Sequence, residues 1–538
     1  MQNGGRIQDS SLFILHSTFF ISPLIAMRTA TLTFLFCAGL ALVLGYLLAT
    51  PYDPRTLMVV GGAVAVLSVP LLLRWHYWML LLSWNASVLV FFLPGRPQAW
   101  MFLSFVSLAL SVLAWLLRDN LGQAGRNVAR LQHVPMLSWT LLLLGVVVAA
   151  TALARGGVGI RALGGQSYGG RHYVFILAAV VGFFAISCRR IAPQHARLAV
   201  LLFFIGALTH PISNLIYVAG PNFYWMFLLF PVEFAVLQAT TESAVSRFNA
   251  ITFAMTGIYS WMLARYGVAG VFDWRRPWRL VIWLGVVAVS LLGGFRSAVA
   301  YVGLVFVLQF MLEGLWRTRL LPLIALGVAI TGTMLIPLAP KLPFPVQRAL
   351  SFLPIDVSPL AKADAAGSTD WRLRMWKVVW AQVPQYLWLG KGYSINPTDL
   401  HLVGEAQLRG IAADIDQAVI AGDYHSGALS VLVPFGIPGT LAFTLFCLAA
   451  LRVLHRNFRR GDPALRTVNT FLYACFAAKF IFFWVVFGAL ASDLAQFAGL
   501  AALSVALNGA GTEEATARAP AVKSPAELAP PDTAAAPA

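Results

Sequence analysis

Apolar runs long enough to cross a lipid bilayer recur along almost the whole chain, and they leave little freedom in what it can fold into. A spanning helix needs roughly 20 mostly apolar residues. Runs of about that kind stand near 29–49, 56–74, 77–94, 99–117, 135–154, 172–188, 197–218, 250–264, 279–294, 297–314, 320–338, 427–451, 467–488 and 493–508. The run 223–239 holds Pro231 and Glu233 and is the weakest spanner. Length alone would suggest several soluble domains. Only 11% of the residues are charged, however, where a soluble domain carries about 25%, so the chain has too little polar surface to face water. The expected fold is an all-α polytopic membrane protein of about 12–14 transmembrane helices, with one long outer loop containing short amphipathic helices.

The net charge of +17 does not point to nucleic acid. Arg and Lys lie mainly in short connections between apolar runs, as orientation signals do, and no basic aromatic platform or basic helix stands outside the membrane. Arg118, Arg126 and Arg130 share one connection, Arg189, Arg190 and Arg197 a second, Arg317 and Arg319 a third. Arg452, His455, Arg456, Arg459, Arg460 and Arg466 mark a fourth. Placing these in the cytoplasm puts 155–171, 295–297 and 340–426 outside. Arg265, Arg275, Arg276 and Arg279 also belong inside, which requires that 223–239 not span or be re-entrant.

The organisation expected is an N-terminal extension over 1–28, a helical bundle over 29–339, a large outer loop over 340–426, C-terminal transmembrane helices over 427–508 and a disordered tail over 509–538, which lacks the apolar content to fold. Residues 1–26 read as a cleaved signal peptide or as sequence upstream of a start at Met27. Cys37, Cys188, Cys447 and Cys475 lie in or at the ends of apolar segments without a CxxC or Cys/His pattern, so neither a disulfide framework nor a zinc site is expected. Amphipathic helices are expected around 371–383 and 400–420. Lys479, Glu233 and Asp493 stand as ionisable residues within apolar runs, and Lys479 has no partner evident in the sequence.

Four places could carry chemistry. Arg296, in Gly293-Gly294-Phe295-Arg296-Ser297, sits between two apolar runs with almost no loop, where an arginine must snorkel, pair or bind an anion. In Asp370-Trp371-Arg372-Leu373-Arg374-Met375-Trp376, Arg372 and Trp376 share a helical face. That face suits a phosphate on the guanidinium fork and a sugar on the indole. The Gly390-Lys391-Gly392-Tyr393 segment allows a tight turn but lacks P-loop spacing. Asp423-Tyr424-His425-Ser426 opens an apolar helix whose Pro434-Phe435-Gly436-Ile437-Pro438-Gly439 marks a kink. There His425 could serve as a general base or a hydrogen-bond donor, and the helix N-terminus favours an anion. Each place also admits a bland reading, as an interfacial anchor, a helix stop or a cap.

Taken in order, Arg296 between two helices, Trp371-Arg372 with Trp376, the Gly390-Lys391-Gly392-Tyr393 turn, and Tyr424-His425 ahead of Phe435-Gly436-Ile437-Pro438-Gly439 resemble the O-antigen ligase and O-antigen polymerase family over roughly 280–450. Upstream, Tyr168-Gly169-Gly170-Arg171 is similar. The resemblance implies a bacterial inner-membrane protein involved in lipopolysaccharide or exopolysaccharide biosynthesis. It implies a polyprenyl-pyrophosphate-linked glycan donor, a glycan, lipid or protein acceptor, a periplasmic active site, and transfer without a metal ion or other cofactor. By position, Arg296 and Arg372, with Arg374 beside them, would hold the donor pyrophosphate. His425, with Asp423 as second choice, would activate the acceptor. Arg171, Trp376, Lys391 and Tyr393 would contact substrate. Ser426, where many members have Asn, and Arg374 as an added basic residue depart from the pattern and leave the acceptor open. The rival reading is a flippase for the same lipid-linked glycan, which predicts internal repeats and midplane charges on broken helices. No convincing repeat is present.

Overall fold

The computed structural model describes residues 54–93, 95–116, 134–157, 170–240, 248–395 and 414–509, with parts of 34–45 and 401–409. The expected N-terminal extension, most of the run 29–49, Cys37, Tyr168-Gly169 and the tail from 510 lie outside the described residues. Two compact units are present. One takes the described residues up to Arg74 together with Phe91–Leu93, and the other takes Trp75–Val90 and the described residues beyond Leu93. In the first, Gly61 lies directly against Phe92.

The labelled helices are α1 (Pro54–Ser83), α2 (Ala99–Leu116), α3 (Pro135–Arg155), α4 (Gly170–Ser187), α5 (Ala196–Ile205), α6 (Ile212–Ala219), α7 (Glu233–Thr240), α8 (Asn249–Val271) and α9 (Trp278–Ser290). After them come α10 (Arg296–Leu312), α11 (Leu320–Leu338), α12 (Phe344–Leu350), α13 (Pro359–Tyr386), α14 (Asp414–Ala421), α15 (Gly427–Arg460), α16 (Arg466–Val485) and α17 (Leu490–Asn508). Among the described residues nine helical stretches are long and apolar enough to cross a membrane, and Trp278–Gly293 and Arg296–Leu312 are shorter apolar helices. The protein is an all-α, multi-pass membrane protein.

How each helix is used follows from what covers it. In α17, 89% of the span is buried, whereas none of the α11 span is. The small residues of α17 let neighbours approach. At Gly499 there is room for the indole of Trp84, whose Nε1 donates to the Ala495 carbonyl at 3.1 Å. α4 and α15 also pack on α17. By contrast, α11 presents Leu321, Leu326, Val328, Met334 and Ile336 outward. A helix apolar on every side, with no part of its span buried by the described residues, suits lipid as its surroundings.

Local sequence patterns mislead at 77–94 and 371–383, whereas 223–239 does not span, as the basic connections required. The runs 56–74 and 77–94 are not two helices. α1 ends at Ser83, and the chain beyond it turns back through backbone bonds from Leu89 N to Leu229 O and from Val90 N to Pro97 O. Residues 223–239 form a 3₁₀ stretch, Pro221–Leu228, followed by α7, each eight residues and too short to cross. The expected short helix around 371–383 is instead part of the 28-residue α13. Ser358 caps its N-terminus, accepting from Ala361 N at 3.2 Å, and Pro359 takes the first helical position. Gly367 and Thr369 are poor helix formers, but their turn is held by contacts described below.

Lys479 finds its partner in the next helix. Its Nζ lies 2.8 Å from Asp493 Oδ1, each side chain being 10% exposed. Asp493 Oδ2 accepts from Ala489 N at 2.9 Å, which satisfies the start of α17. Removing one member of such a pair strands the other charge, at a cost of about 3–5 kcal/mol. Lys479→Met therefore lowers the thermal stability of the detergent-solubilised protein sharply. Lys479→Met/Asp493→Asn, which keeps the acceptor for Ala489, recovers much of the loss in the same melting measurement.

Candidate active site

One face of α13 organises the site. Asp364, Ser368 and Arg372 recur every four residues, with Ala365 and Thr369 beside them, so all lie along one stripe. Arg348 of α12 reaches this stripe with an ion pair from Nε to Asp364 and a 2.9 Å bond from Nη2 to Ser368 Oγ. Its Nη1 donates to Gly294 O at 2.6 Å, in the turn between α9 and α10. Arg296, the first residue of α10, donates through Nη2 to Ala365 O at 2.7 Å and to Thr369 Oγ1 at 3.1 Å. An apolar cluster of Ala339, Val346, Leu350, Ile355, Val357 and Ala361, covered by Leu291 and Leu292, supports this clasp.

Arg372 completes a group of three guanidiniums. It lies 5.6 Å from the centre of the Phe487 ring, and no described side chain pairs with it. Burial lowers its pKa from the usual arginine range, and the charges of Arg296 and Arg348 push the same way. The guanidinium still stays charged at neutral pH. Three positive groups thus gather along one face of α13, and the ion pair described among them is Arg348 with Asp364. The excess charge, with a partly covered guanidinium whose donors are uncommitted, is what an oxyanion of high charge requires.

His425 stands beside Arg372. Its ring meets Trp371 edge-on at 5.3 Å between centroids and Phe487 at 5.5 Å. Its backbone is left-handed, with φ 47°, a conformation that costs free energy in a non-glycine residue. Asp423 Oδ2 is 3.6 Å from His425 Nε2, and His425 Nδ1 is buried without a hydrogen-bond partner among the described residues. Burial lowers the His425 pKa below its usual value, Asp423 opposes the shift and Arg372 reinforces it. The imidazole is therefore neutral at pH 7 and able to accept a proton. Trp376, four residues from Arg372, donates from Nε1 to Tyr424 O at 2.8 Å and so tethers the 423–425 segment to α13. Met375, Val379 and Val383 of α13 pack with Val419, Leu429 and Val433, fixing α13 against α14 and α15.

The Gly390-Lys391-Gly392-Tyr393 segment docks into the kink of α15. Gly436, at φ 63° and ψ −162°, interrupts the helix, and Pro438 has no N–H to offer Pro434 O. The freed groups all find partners in one turn. Ile437 N donates to Leu387 O at 2.7 Å, Lys391 N to Val433 O at 2.8 Å and Gly392 N to Pro434 O at 3.0 Å. Gly390 has φ 79°, and a Cβ there would run into the Pro434 carbonyl, while a Cβ at Gly436 would run into the Leu387 carbonyl, so each segment meets the other's backbone at a glycine. Arg155 Nε donates to Gly390 O at 2.9 Å from the end of α3.

The remaining expected residues are placed apart from the arginine group. The Tyr393 ring is 5% exposed and enclosed by His172, Tyr173 and Phe435, and its N–H donates to the Tyr173 hydroxyl at 2.7 Å. Lys391 is half-buried, and burial lowers its pKa. Arg171 pairs with Glu233 at 3.0 Å and lies 5.3 Å from the Phe175 ring centre. Arg374 is exposed, about half a helical turn around α13 from Arg372. Reasoning from sequence missed Arg348 and Phe487. The four-residue spacing of Asp364, Ser368 and Arg372 was the one readable sign that this face of α13 has a polar partner. Phe487, in the α16–α17 connection, carries no such sign.

Cys188, Cys447 and Cys475 are buried and free. Among the described residues no three His, Cys, Asp or Glu side chains converge as a metal site would require. No curated protein matches the chain. Residues 280–444 match the family model described as O-Antigen ligase. The matched span opens within α9, takes in Arg296, Arg348, Arg372, Asp423 and His425, and ends in α15 beyond its kink. The match takes in the whole clasp, so residues 280–444 of this multi-pass helical chain are similar to the O-antigen ligase family.

Proposed function

We propose that the protein is a glycosyltransferase that moves a glycan from a polyprenyl-pyrophosphate carrier to an acceptor hydroxyl at the periplasmic face of the bacterial inner membrane. The observation that carries this reading is the gathering of Arg296, Arg348 and Arg372 along one face of α13, with His425 beside Arg372. The orientation rests on the basic connections 189–197, 275–279, 317–319 and 452–466, which lie at the ends of helices remote from this group and belong in the cytoplasm.

In the proposed reaction the acceptor oxygen attacks the anomeric carbon as the bond from that carbon to the phosphate oxygen breaks. The electron pair leaves with the pyrophosphate, whose growing charge is met by guanidiniums already fixed in place. Arg372 and Arg296 bind the phosphates. Arg348, whose donors are engaged with Asp364, Ser368 and Gly294, holds the two helices that carry them. His425 takes the proton of the acceptor hydroxyl, and Asp423 faces the imidazolium that results. No step is routed through a metal ion, because the arginines supply the positive charge. The acceptor is a glycan, a lipid or a protein hydroxyl.

Glycan analysis of a deletion strain carrying Arg372→Ala tests the reading. The expected result is transfer reduced by about 10²–10³-fold or more, normal membrane abundance, and donor accumulating on the periplasmic face. Product length separates polymerisation from attachment. Normal product would sink the pyrophosphate role, and donor trapped on the cytoplasmic face would favour a flippase.

His425→Ala is expected to lower kcat by about 10²–10⁴-fold with little change in donor affinity. A loss confined to donor affinity would make His425 a binding residue. The pH dependence has a definite sign. The active imidazole is the neutral form, and its pKa is lowered from 6.5. Turnover therefore rises with pH through a midpoint below 6.5 and is level above it. An acidic limb at or above that value contradicts the assignment.

A further inference from the structure

A cavity of mixed polar and apolar lining lies at the other end of the helices. It has a volume of about 490 Å³ and is lined by Arg197, Arg265, Trp261, Val200, Leu465 and Val468, among others. Leu465 stands at the start of α16 and Phe487 just past its end. At 1.5 Å per residue the two are separated by roughly 30 Å along that helix. This cavity therefore sits about a membrane's apolar thickness away from the arginine group.

Its lining combines two kinds of surface. Arg197, at the start of α5, and Arg265, in α8, contribute guanidiniums. Arg265 lies 5.6 Å from the Tyr266 ring centre, and no acidic side chain among the described residues pairs with either arginine. The acid nearest in sequence to this wall, Asp462, is committed to Ala464 N at 2.8 Å. Deeper in the wall, Val200, Ala264 and Leu465 are buried and apolar. Paired arginines at the mouth of an apolar cleft between membrane helices match a ligand with an anionic head and a hydrocarbon body. Trp261 adds an indole of the kind that rests at headgroup level.

We infer that the cavity between α5, α8 and the start of α16 is a binding site for a phosphate-bearing lipid headgroup, held by Arg197 and Arg265. Bound there, the lipid bridges three helices that meet at this end. On the orientation proposed above the site faces the cytoplasmic leaflet, but the binding itself does not depend on that orientation or on the transfer reaction.

The test is native mass spectrometry of the full chain in detergent, titrated with phosphatidylglycerol, with phosphatidylcholine and with inorganic phosphate. The expected result is saturable phosphatidylglycerol binding that is about thirtyfold weaker in Arg197→Gln/Arg265→Gln, since each arginine near a phosphate is worth about 1 kcal/mol. Arg317→Gln/Arg319→Gln, which removes the same charge elsewhere in the molecule, should bind as the wild type does. Ala464→Trp narrows the cavity and keeps both arginines, so it should also weaken binding and guards against a fold defect in the double variant. Competition by inorganic phosphate at similar concentration would assign the site to the phosphate group alone. Undiminished phosphatidylglycerol binding in Arg197→Gln/Arg265→Gln, or an equal loss in Arg317→Gln/Arg319→Gln, would overturn the inference.

Discussion

Like charges do not assemble unless something else holds them. Arg296, Arg348 and Arg372 come from three separate helices, and Arg372 carries the electrostatic mark of the other two. The stabilising contacts run through Arg348. One guanidinium engages the carboxylate of Asp364, the hydroxyl of Ser368 and the carbonyl of Gly294, so it ties the α9–α10 turn to α13. Arg296 adds two bonds to the same helix. The repulsion is thereby offset by bonds within the protein, and an arriving polyanion would meet charges that need no reorganisation.

A second constraint comes from the apolar surroundings. Backbone groups cannot be left unpaired where water is scarce, and yet α15 is broken at Gly436 close to the site. The turn after α13 resolves the conflict by supplying two donors and one acceptor to the groups the break releases. The kink and the turn are therefore one structural unit, although about 40 residues separate them in the chain. Their joint effect is to fix the end of α13, and with it Arg372 and Trp376, relative to His425 at the head of α15. In the same way Asp493 both neutralises Lys479 and satisfies the first turn of α17, next to the Phe487 wall.

Much of the architecture was legible because spanning a bilayer is a local demand. A contiguous apolar run and the basic residues at its ends are visible one segment at a time, and the runs 99–117, 135–154, 172–188 and 320–338 lie within a few residues of α2, α3, α4 and α11. Where apolar content did not mean a crossing, as at 77–94 and 223–239, hydrogen bonds from distant segments decided the path. Leu229 O takes the N–H of Leu89, and such a pairing has no local sequence signature.

For the candidate site the division falls along the same line. The sequence alone determined that the chain is helical and apolar, and it marked Arg296, Arg372 and His425 as polar groups standing where charge is costly. Only the tertiary structure decided which of the other residues joined them. It brought in Arg348 and Phe487, set Arg374 on another face, and committed Tyr393 and Arg171 to packing and to Glu233. The physical reason is that residue type and spacing report the cost of a group in its own segment. The partner that offsets that cost comes from another helix, and only packing brings the two within bonding distance.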